Sequence, residues 1–269
     1  MIKPSRGWLA LGLRDVWDYR EMLMLLVWRD IKIRYKQTAI GIVWAVIQPV
    51  MTMVVFSVVF GHFAGLPTNG VPYPLLTMSA LLPWLLFTTA LTAGTSSIVS
   101  NQALVTKVYF PRLLIPIAPT LAALVDFTIG LGILASIMAY YGVVPGWHVV
   151  LVPVFTLFAV LTALAVGLWT SALNVRYRDV QYAVPFIQQI WMYATPVAYS
   201  ALIFPLWLRP WLGLNPMTGV VQGFRWSLFG HTGGQVGNLM LLSFGMVIVL
   251  LLGGVAYFRR VERSFADVI

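Results

Sequence analysis

Two carboxylates are the only acidic side chains in the long middle of this sequence. Carboxylates serve as general bases and as metal ligands, so they are the first place to look for chemistry. Between Ile31 and Val261 they are Asp126 and Asp179. Asp126 lies near the middle of an apolar run, where an ionised carboxylate costs about 2.5–3.5 kcal/mol. It is either a relay or substrate contact, or a carboxyl hydrogen-bonded to a neighbouring helix, and we prefer the second interpretation.

The familiar motifs of catalysis and nucleotide binding are missing from the sequence. No lysine follows a glycine, so the G-x-x-x-x-G-K-[ST] loop is absent and ATP is not bound by that route. Neither H-E-x-x-H nor G-x-S-x-G occurs, and the absence of cysteine excludes disulfides, thiolate metal sites and a thiol nucleophile. His62, His148 and His231 are far apart, so we expect no joint metal site and no cofactor on this chain.

Four cations lie within eight residues near the start of the chain: Arg29, Lys32, Arg34 and Lys36. After them, no lysine, arginine or acidic residue appears until Lys107. A basic collar against the start of a long apolar run is typical of a helix that enters a bilayer from the cytoplasm. The pattern therefore predicts a membrane entry point close to residue 39.

The composition indicates an integral membrane protein. Of 269 residues, 60% are hydrophobic and only 9% are charged, with a mean hydropathy of +0.87. Soluble domains carry about 25% charged residues. The net charge of +9 could suggest nucleic acid, but the cations are dispersed beside apolar runs and not gathered on a soluble module. We therefore expect one membrane domain over residues 1–269 and no nucleic-acid partner.

The predicted fold is all-α, with six membrane-spanning helices of about 20 or more apolar residues each. The predicted spans are 39–61, 75–99, 113–141, 148–173, 180–203 and 239–258. Residues 1–37 predict an amphipathic helix along the cytoplasmic membrane surface, with an ordinary helix packed on protein as the alternative. Residues 204–238 are aromatic but interrupted by prolines, which predicts external re-entrant or interfacial helices between spans five and six.

The distribution of lysine and arginine predicts the orientation. With six crossings, both termini lie on one side of the membrane. Fifteen of the seventeen lysines and arginines then fall on that side, and the other two lie in 204–238. The positive-inside rule therefore places both termini in the cytoplasm.

Two further groups of residues have open interpretations. Arg176, Arg178 and Asp179 lie at the inner face, either as a solvated turn with a local ion pair or as a contact for a cytoplasmic partner. Aromatic residues in the spans either pack against lipid and core or line a path, since ring faces accept sugar C–H surface. The candidates for a channel lining are Trp44, Phe56, Trp84, Trp191 and Tyr193.

Several of these stretches together resemble one family, the type-2 ABC transporter permeases that export polysaccharides such as O-antigen, capsule or teichoic acid. The resemblance begins with RDIKIRYKQTAIGIVW at 29–44 and Gln48-Pro49. It continues through KVYFPR at 107–112, NVRYRDV at 174–180 and Asn215-Pro216-Met217. It covers essentially the whole chain, although Ala39 and Ile40 stand where bulkier residues or leucine are usual.

The resemblance implies a permease subunit in a bacterial inner membrane, two copies of which form a channel at a homodimer interface. Two copies of a separate ATPase, which carry ATP and Mg, would dock beneath. The segment 101–112 is similar to the family's coupling helix, which implies ATPase contact by Asn101, Lys107, Tyr109, Phe110 and Arg112. Alanine at Tyr109 or Phe110 is then expected to uncouple transport without preventing insertion. The pieces in 204–238 resemble the family's gate helices.

The implied substrate is a glycan on polyprenyl pyrophosphate. A polymer of hydroxyls cannot cross hydrocarbon unaided, because each unpaired polar group costs about 2–7 kcal/mol. Arg29, Lys32, Arg34 and Lys36 are candidates to bind the pyrophosphate, or else they anchor the helix only. Two alternatives stay open: an ABC exporter of a small lipid or drug, and a membrane-integrated glycosyl or acyl transferase.

Overall fold

The computed structural model describes residues 13–36, 41–68, 70–205, 207–230 and 236–265. Within these ranges the regular structure is helical, as predicted, and no strand occurs. The helices are α1 Leu13–Asp18, α2 Arg20–Lys36, α3 Gly41–Phe56, α4 Tyr73–Ser100, α5 Gln102–Lys107, α6 Leu114–Tyr140, α7 Val152–Arg176, α8 Val180–Ala194, α9 Arg209–Leu212, α10 Pro216–Phe229 and α11 Val236–Val261. A π-helical stretch, Ser57–Phe63, extends α3, and a 3₁₀ turn, Trp147–Leu151, precedes α7.

Within the described ranges, five helical segments are long and apolar enough to cross a membrane: Val43–Phe63, Tyr73–Ser100, Leu114–Tyr140, Trp147–Arg176 and Gly237–Val261. They correspond to five of the six predicted spans, with ends that differ by a few residues; positions 39 and 40 of the first lie outside the described residues. The second segment is the most buried, because α4 packs against α3, α6, α7, α8 and α10. The bundle is therefore organised around α4.

The remaining predicted span, 180–203, does not form one long helix. Helix α8 has 15 residues, which at 1.5 Å per residue span only about 22 Å. It ends at Ala194 because proline at 196 disfavours helical backbone in the preceding residue, and Thr195 has an extended conformation with ψ 136°. The chain then runs without helix to the short 3₁₀ turn Ala201–Ile203.

The N-terminal region contains α1 and α2, while residues 1–12 and 37 of the predicted interfacial helix lie outside the described residues. Helix α2 packs against α6 and α3, with Leu26 buried. Its other side carries exposed apolar residues, including Met24 and Trp28. Helix α2 therefore has one face packed on protein and another available to a membrane surface.

Different groups of residues pack at the two ends of the bundle. At one end Leu26 packs with Phe110, Leu114 and Phe258. This end also carries α5 and the junction between α7 and α8. At the other end α10 packs against the starts of α4, α7 and α11, and His148 lies beside Trp226 with ring centroids 4.9 Å apart. Helix α10 therefore lies at the end opposite to the predicted coupling segment.

Gly254 lies where two helices approach each other to backbone contact. A Cβ atom added to Gly254 of α11 would lie 2.8 Å from the carbonyl oxygen of Ala165 in α7. Small residues let apolar helices approach to backbone contact, where van der Waals packing is strongest. Gly254 thus sets the distance between α7 and α11.

Candidate functional site

The predicted coupling segment, 101–112, forms a short helix followed by irregular chain. Asn101 joins α4 to α5, and α5 ends at Lys107, whose side chain is exposed. Nη1 of Arg112 donates a hydrogen bond to the carbonyl oxygen of Glu262, so the segment is attached to the C-terminal end of α11. The segment is therefore anchored at both of its ends, by Asn101 and by Arg112.

Neighbouring aromatic side chains in this segment point in opposite directions. Tyr109 is 80% exposed, whereas Phe110 is 6% exposed. Phe110 packs in the cluster that contains Leu26 and Leu114. Tyr109 is thus available to a partner, and Phe110 holds the segment to the bundle.

Asn101 also connects the segment to α2. Its Oδ1 accepts a hydrogen bond of 2.7 Å from Nη1 of Arg29, and its Nδ2 donates one of 2.7 Å to the carbonyl oxygen of Ser97. Nη2 of Arg29 lies 2.8 Å from Oδ1 of Asp30, which completes an ion pair. The position of α2 is therefore linked to the start of α5.

The second predicted inner-face group lies between α7 and α8. The side chains of Arg176, Arg178 and Asp179 are all exposed, and the Arg176 guanidinium lies 5.5 Å from the centroid of the Tyr177 ring. Nearby Asn174 is buried: its Nδ2 donates to the carbonyl of Thr95 at 3.1 Å. Asn174 therefore attaches the turn to α4, while the charged side chains of the turn are exposed.

The four cations of α2 do not form a single group. Successive residues of a helix are about 100° apart, so Arg29, Lys32 and Lys36 share one side and Arg34 points to the other. Lys32 lies 5.4 Å from the centroid of the Trp28 ring, and both Lys32 and Lys36 are exposed. Arg34 instead turns toward α6.

Arg34 forms an ion pair with Asp126, which lies near the middle of α6. Nη1 of Arg34 donates to Oδ2 of Asp126, and the Tyr35 hydroxyl donates to Oδ1. Burial, together with the Asp126 carboxylate, raises the pKa of Tyr35, so the phenol keeps its proton. Asp126 is therefore hydrogen-bonded to a neighbouring helix, as the second interpretation of this residue predicted.

The ion pair lies in the wall of a cavity of about 350 Å³. Trp44 and Gln48 of α3, Thr89 of α4 and Phe127 of α6 also line it. The side chains of Arg34 and Asp126 are 33% and 27% exposed, so both are accessible from the cavity. The cavity therefore combines an apolar wall with one cation, one anion and two uncharged polar groups.

The five aromatic channel candidates differ in location. Trp44 is 61% exposed and Tyr193 is also exposed, while Phe56 is half-buried against Phe60. Trp84 is 3% exposed and lies in the core. Trp191 lies between these extremes, in contact with Phe87 at a centroid distance of 5.2 Å.

Arg225 of α10 is a structural residue that the sequence reasoning did not single out. It is 5% exposed, and its guanidinium donates to the carbonyl oxygens of four residues. These are Pro196 at 2.8 Å, Val197 at 2.7 Å, Tyr199 at 3.0 Å and Leu76 at 3.2–3.3 Å. Burial lowers the pKa of Arg225 to about 10, which still leaves the group protonated at neutral pH. The available signal was its position as one of two arginines in the aromatic, weakly charged stretch 204–238.

Asn215 is a second connection that the sequence did not reveal. Its Oδ1 accepts from the backbone nitrogen of Met217 at 3.0 Å, which caps α10, and from Nε1 of Trp191 at 2.9 Å. Its Nδ2 donates to Oγ1 of Thr195 at 2.9 Å. Asn215 therefore joins the start of α10 to the end of α8.

Two of the three histidines, His62 and His148, lie within the described residues. Within the part of the chain that the structure describes, no group of three or more histidine, cysteine, aspartate or glutamate residues is placed to hold a metal ion. His62 is exposed, and His148 stacks on Trp147 with ring centroids 4.2 Å apart. His231 lies outside the described residues.

Comparison with known proteins finds a family and relatives that match most of the chain. Residues 21–229 match the family model described as ABC-2 type transporter. An O-antigen export system permease protein, RfbA, of Myxococcus xanthus is 31% identical over 257 residues, covering 94% of this chain and 97% of the relative. RfbA of Klebsiella pneumoniae is 22% identical over 250 residues, covering 93% of this chain and 95% of the relative.

A further relative is the polysialic acid transport protein KpsM of Escherichia coli, which is 22% identical over 249 residues, covering 88% of this chain and 92% of that protein. The family model matches more than half of the chain, and the apolar helices are those of a multi-pass membrane protein. This chain belongs to the ABC-2 type transporter family.

Proposed function

We propose that this chain is the permease subunit of an ATP-driven exporter that moves a polysaccharide, such as O-antigen, across a bacterial inner membrane. The observation that carries the proposal is the similarity, over more than nine-tenths of its length, to proteins named O-antigen export permeases. The glycan is attached to polyprenyl pyrophosphate, whose apolar tail stays in the bilayer while the polymer passes through protein.

In the proposed topology α8 and residues 195–203 complete a sixth crossing, and both termini lie in the cytoplasm. Helix α8 alone is shorter than the hydrocarbon core of about 30 Å. The non-helical chain after it is tolerated at this depth because Arg225 donates hydrogen bonds to the carbonyl groups of Pro196, Val197 and Tyr199, and the Tyr73 hydroxyl donates to that of Ala198. Helices α9 and α10 then form external re-entrant elements.

Two copies of an ATPase subunit, which bind ATP and Mg, dock on the inner face in this proposal. Lys107 and Tyr109 are exposed there, on a segment held by Phe110 and Arg112. Such an arrangement suits a rigid projection that fits into a groove. The exposed turn with Arg176 and Arg178 is a second point of contact.

Two copies of this chain enclose the channel in the proposed assembly. The large exposed apolar side chains of α3 and α8 lie on faces without a partner inside the described chain. They include Ile47, Met51, Val55, Phe186 and Ile190. Trp44 and Tyr193 are exposed on these same helices and are the aromatics best placed to meet sugar rings. Trp84 is buried in the core and is not part of this surface.

The cations of α2 bind the pyrophosphate in this scheme. Arg34 is accessible from the cavity, and Lys32 and Lys36 are exposed on the other side of the helix. Arg29 is already bonded to Asp30 and Asn101. Arg34 is therefore the cation of this group that a ligand inside the bundle would meet.

Neither alternative is favoured by a specific observation. A small-lipid or drug exporter would share the fold, but the relatives named above are O-antigen and polysialic acid transport proteins. A transferase would use a carboxylate near the membrane face, whereas both oxygens of Asp126 accept hydrogen bonds from α2.

The test is deletion of the gene in its host, followed by measurement of surface glycan and of glycan retained in the cytoplasm. Loss of surface glycan with accumulation inside is the expected result, and the intact gene should restore export. A strain that lacks the chain but displays glycan at the parental level would exclude polysaccharide export. Export by purified protein without an ATPase partner would exclude the proposed division of labour.

A further inference from the structure

The ion pair between Arg34 and Asp126 lies where a ligand entering the bundle would meet it. Both side chains are partly exposed to the cavity that Trp44, Gln48 and Thr89 also line. Among the described residues that line this cavity, Asp126 is the only acidic one. In an apolar environment such a pair is retained at a cost in desolvation, which invites a functional explanation.

In this ion pair the Asp126 carboxylate occupies the position on Arg34 where a bound anion would lie. A guanidinium binds carboxylates and phosphates through the same planar set of N–H donors. A phosphate group offers more acceptor oxygens and a larger charge than a carboxylate, so it competes well for arginine. When a phosphate takes Arg34, Asp126 keeps the hydrogen bond from the Tyr35 hydroxyl, which remains protonated.

We propose that Asp126 occupies the anion position on Arg34 in the substrate-free protein and is displaced there by a phosphate of the lipid-linked substrate. Asp126 thus lowers the affinity for phosphate and makes binding depend on breaking the ion pair between Arg34 and Asp126. This inference rests on the proposed function, because it takes polyprenyl pyrophosphate as the ligand.

The size of the cavity fits a headgroup and not a polymer. A volume of about 350 Å³ is at the lower end of small-molecule sites, which are roughly 300–1,000 Å³. The apolar lining from Leu82, Leu86 and Phe127 suits the first isoprene units next to the pyrophosphate. The glycan itself would lie elsewhere, along the exposed faces of α3 and α8.

The first experiment measures binding of undecaprenyl pyrophosphate to the purified full-length chain in nanodiscs, with undecaprenol as the ligand that lacks phosphate. Asp126→Asn removes the competing charge and keeps an acceptor for Tyr35, so it should tighten binding by about tenfold. Arg34→Gln should weaken it by about tenfold for the opposite reason. Undecaprenol should bind to all variants equally.

Matched controls make the same chemical changes elsewhere. Arg20→Gln removes an exposed cation from the same helix, and Asp18→Asn removes an exposed carboxylate from α1. Neither variant should alter the affinity for undecaprenyl pyrophosphate. The double variant Arg34→Gln/Asp126→Asn removes both charges of the pair together, so it should insert normally and bind as weakly as Arg34→Gln.

A second measurement leaves the ion pair intact and so does not depend on variants that fail to fold. The chain has no cysteine, so Gln48→Cys introduces a single thiol in the cavity wall. Undecaprenyl pyrophosphate should slow maleimide labelling of this thiol, and undecaprenol should not. His62→Cys, exposed in the stretch that extends α3 and not part of the cavity lining, should react equally with either lipid present.

Three outcomes would overturn the inference. Asp126→Asn could bind no more tightly than the parent, Arg34→Gln could bind equally well, or inorganic pyrophosphate could protect the thiol of the Gln48→Cys variant as well as the lipid does, which would indicate a free-anion site. If any of these occurs while gene deletion still abolishes surface glycan, the inference fails and the proposed function stands. If the parent binds undecaprenyl pyrophosphate and undecaprenol alike, the proposed lipid-linked substrate fails.

Discussion

Nη1 of Arg29 lies 2.7 Å from Oδ1 of Asn101, so a hydrogen bond joins two residues that are 72 positions apart. The bond attaches α2 to the junction between α4 and α5. Five residues farther along α2, Arg34 pairs with Asp126 in the wall of the cavity. One helix therefore contacts both the inner-face segment and the cavity, and movement of that helix would affect both.

Breaking the contact between Arg29 and Asn101 should weaken coupling more than folding. A hydrogen bond to a charged group contributes about 1.5–3 kcal/mol, and partial exposure of Arg29 reduces this to about 1 kcal/mol. We expect Asn101→Ala to lower glycan export per ATP hydrolysed in proteoliposomes that contain the ATPase. The double variant Arg29→Gln/Asn101→Ala should be no worse than Asn101→Ala, whereas additive losses would show that the two residues act separately.

Alanine at Tyr109 and alanine at Phe110 should have different effects, although the sequence alone suggested the same effect for both. Tyr109 is exposed, so its removal should change the free energy of unfolding by less than about 0.5 kcal/mol and still reduce export. Phe110 is buried, and its truncation should cost about 3–5 kcal/mol. Thermal unfolding beside export rates measures both. Normal export by a well-folded Tyr109→Ala protein would contradict the docking assignment.

Replacement of Arg225 should destabilise the end of the bundle that holds α10. Methionine would leave the buried carbonyls of Pro196 and Val197 without their donor, at about 1–3 kcal/mol each, while the carbonyl of Leu76 keeps the hydrogen bond from the Ser79 hydroxyl. Lysine keeps the charge but has only three donors on a single nitrogen, so Arg225→Lys should be intermediate. The melting temperature reports the order. Arg263→Met removes an exposed charge and should leave the melting temperature unchanged. If Arg225→Met and Arg263→Met changed the melting temperature equally, the stabilising role of the Arg225 hydrogen bonds would be refuted.

Two glycines of the same helix should respond oppositely to alanine. At Gly254 the new Cβ would meet backbone of Ala165 at 2.8 Å, which cannot move cheaply, so we expect a loss of about 1–3 kcal/mol. At Gly245 nothing lies within 4 Å, and alanine should stabilise the helix by about 0.5–1 kcal/mol. Unfolding of both variants in one detergent tests this, and a neutral Gly254→Ala would mean that α7 and α11 are not tightly packed.

The sequence by itself determined the membrane class, the all-helical fold and the approximate positions of five spans. Long apolar runs and cationic collars are properties of consecutive residues, so they can be read without knowing what packs against what. The exception was 180–203, where Pro196 ends α8 after 15 residues. The composition of 180–203 suits a long membrane-spanning helix, but it does not show that the helix ends at Ala194.

Only the tertiary structure decided which side chains meet. Arg34 and Asp126 are 92 positions apart, and nothing in either neighbourhood indicates that they form a pair. Helices that are apolar on all sides carry little information about which face turns inward, so Trp44 and Trp84 look alike in sequence. Tyr109 and Phe110 lie in irregular chain after α5, where no periodicity indicates which of the two side chains is buried. Their burial depends on how each helix is rotated and how closely its neighbours approach, and those distances are set by the packed bundle as a whole.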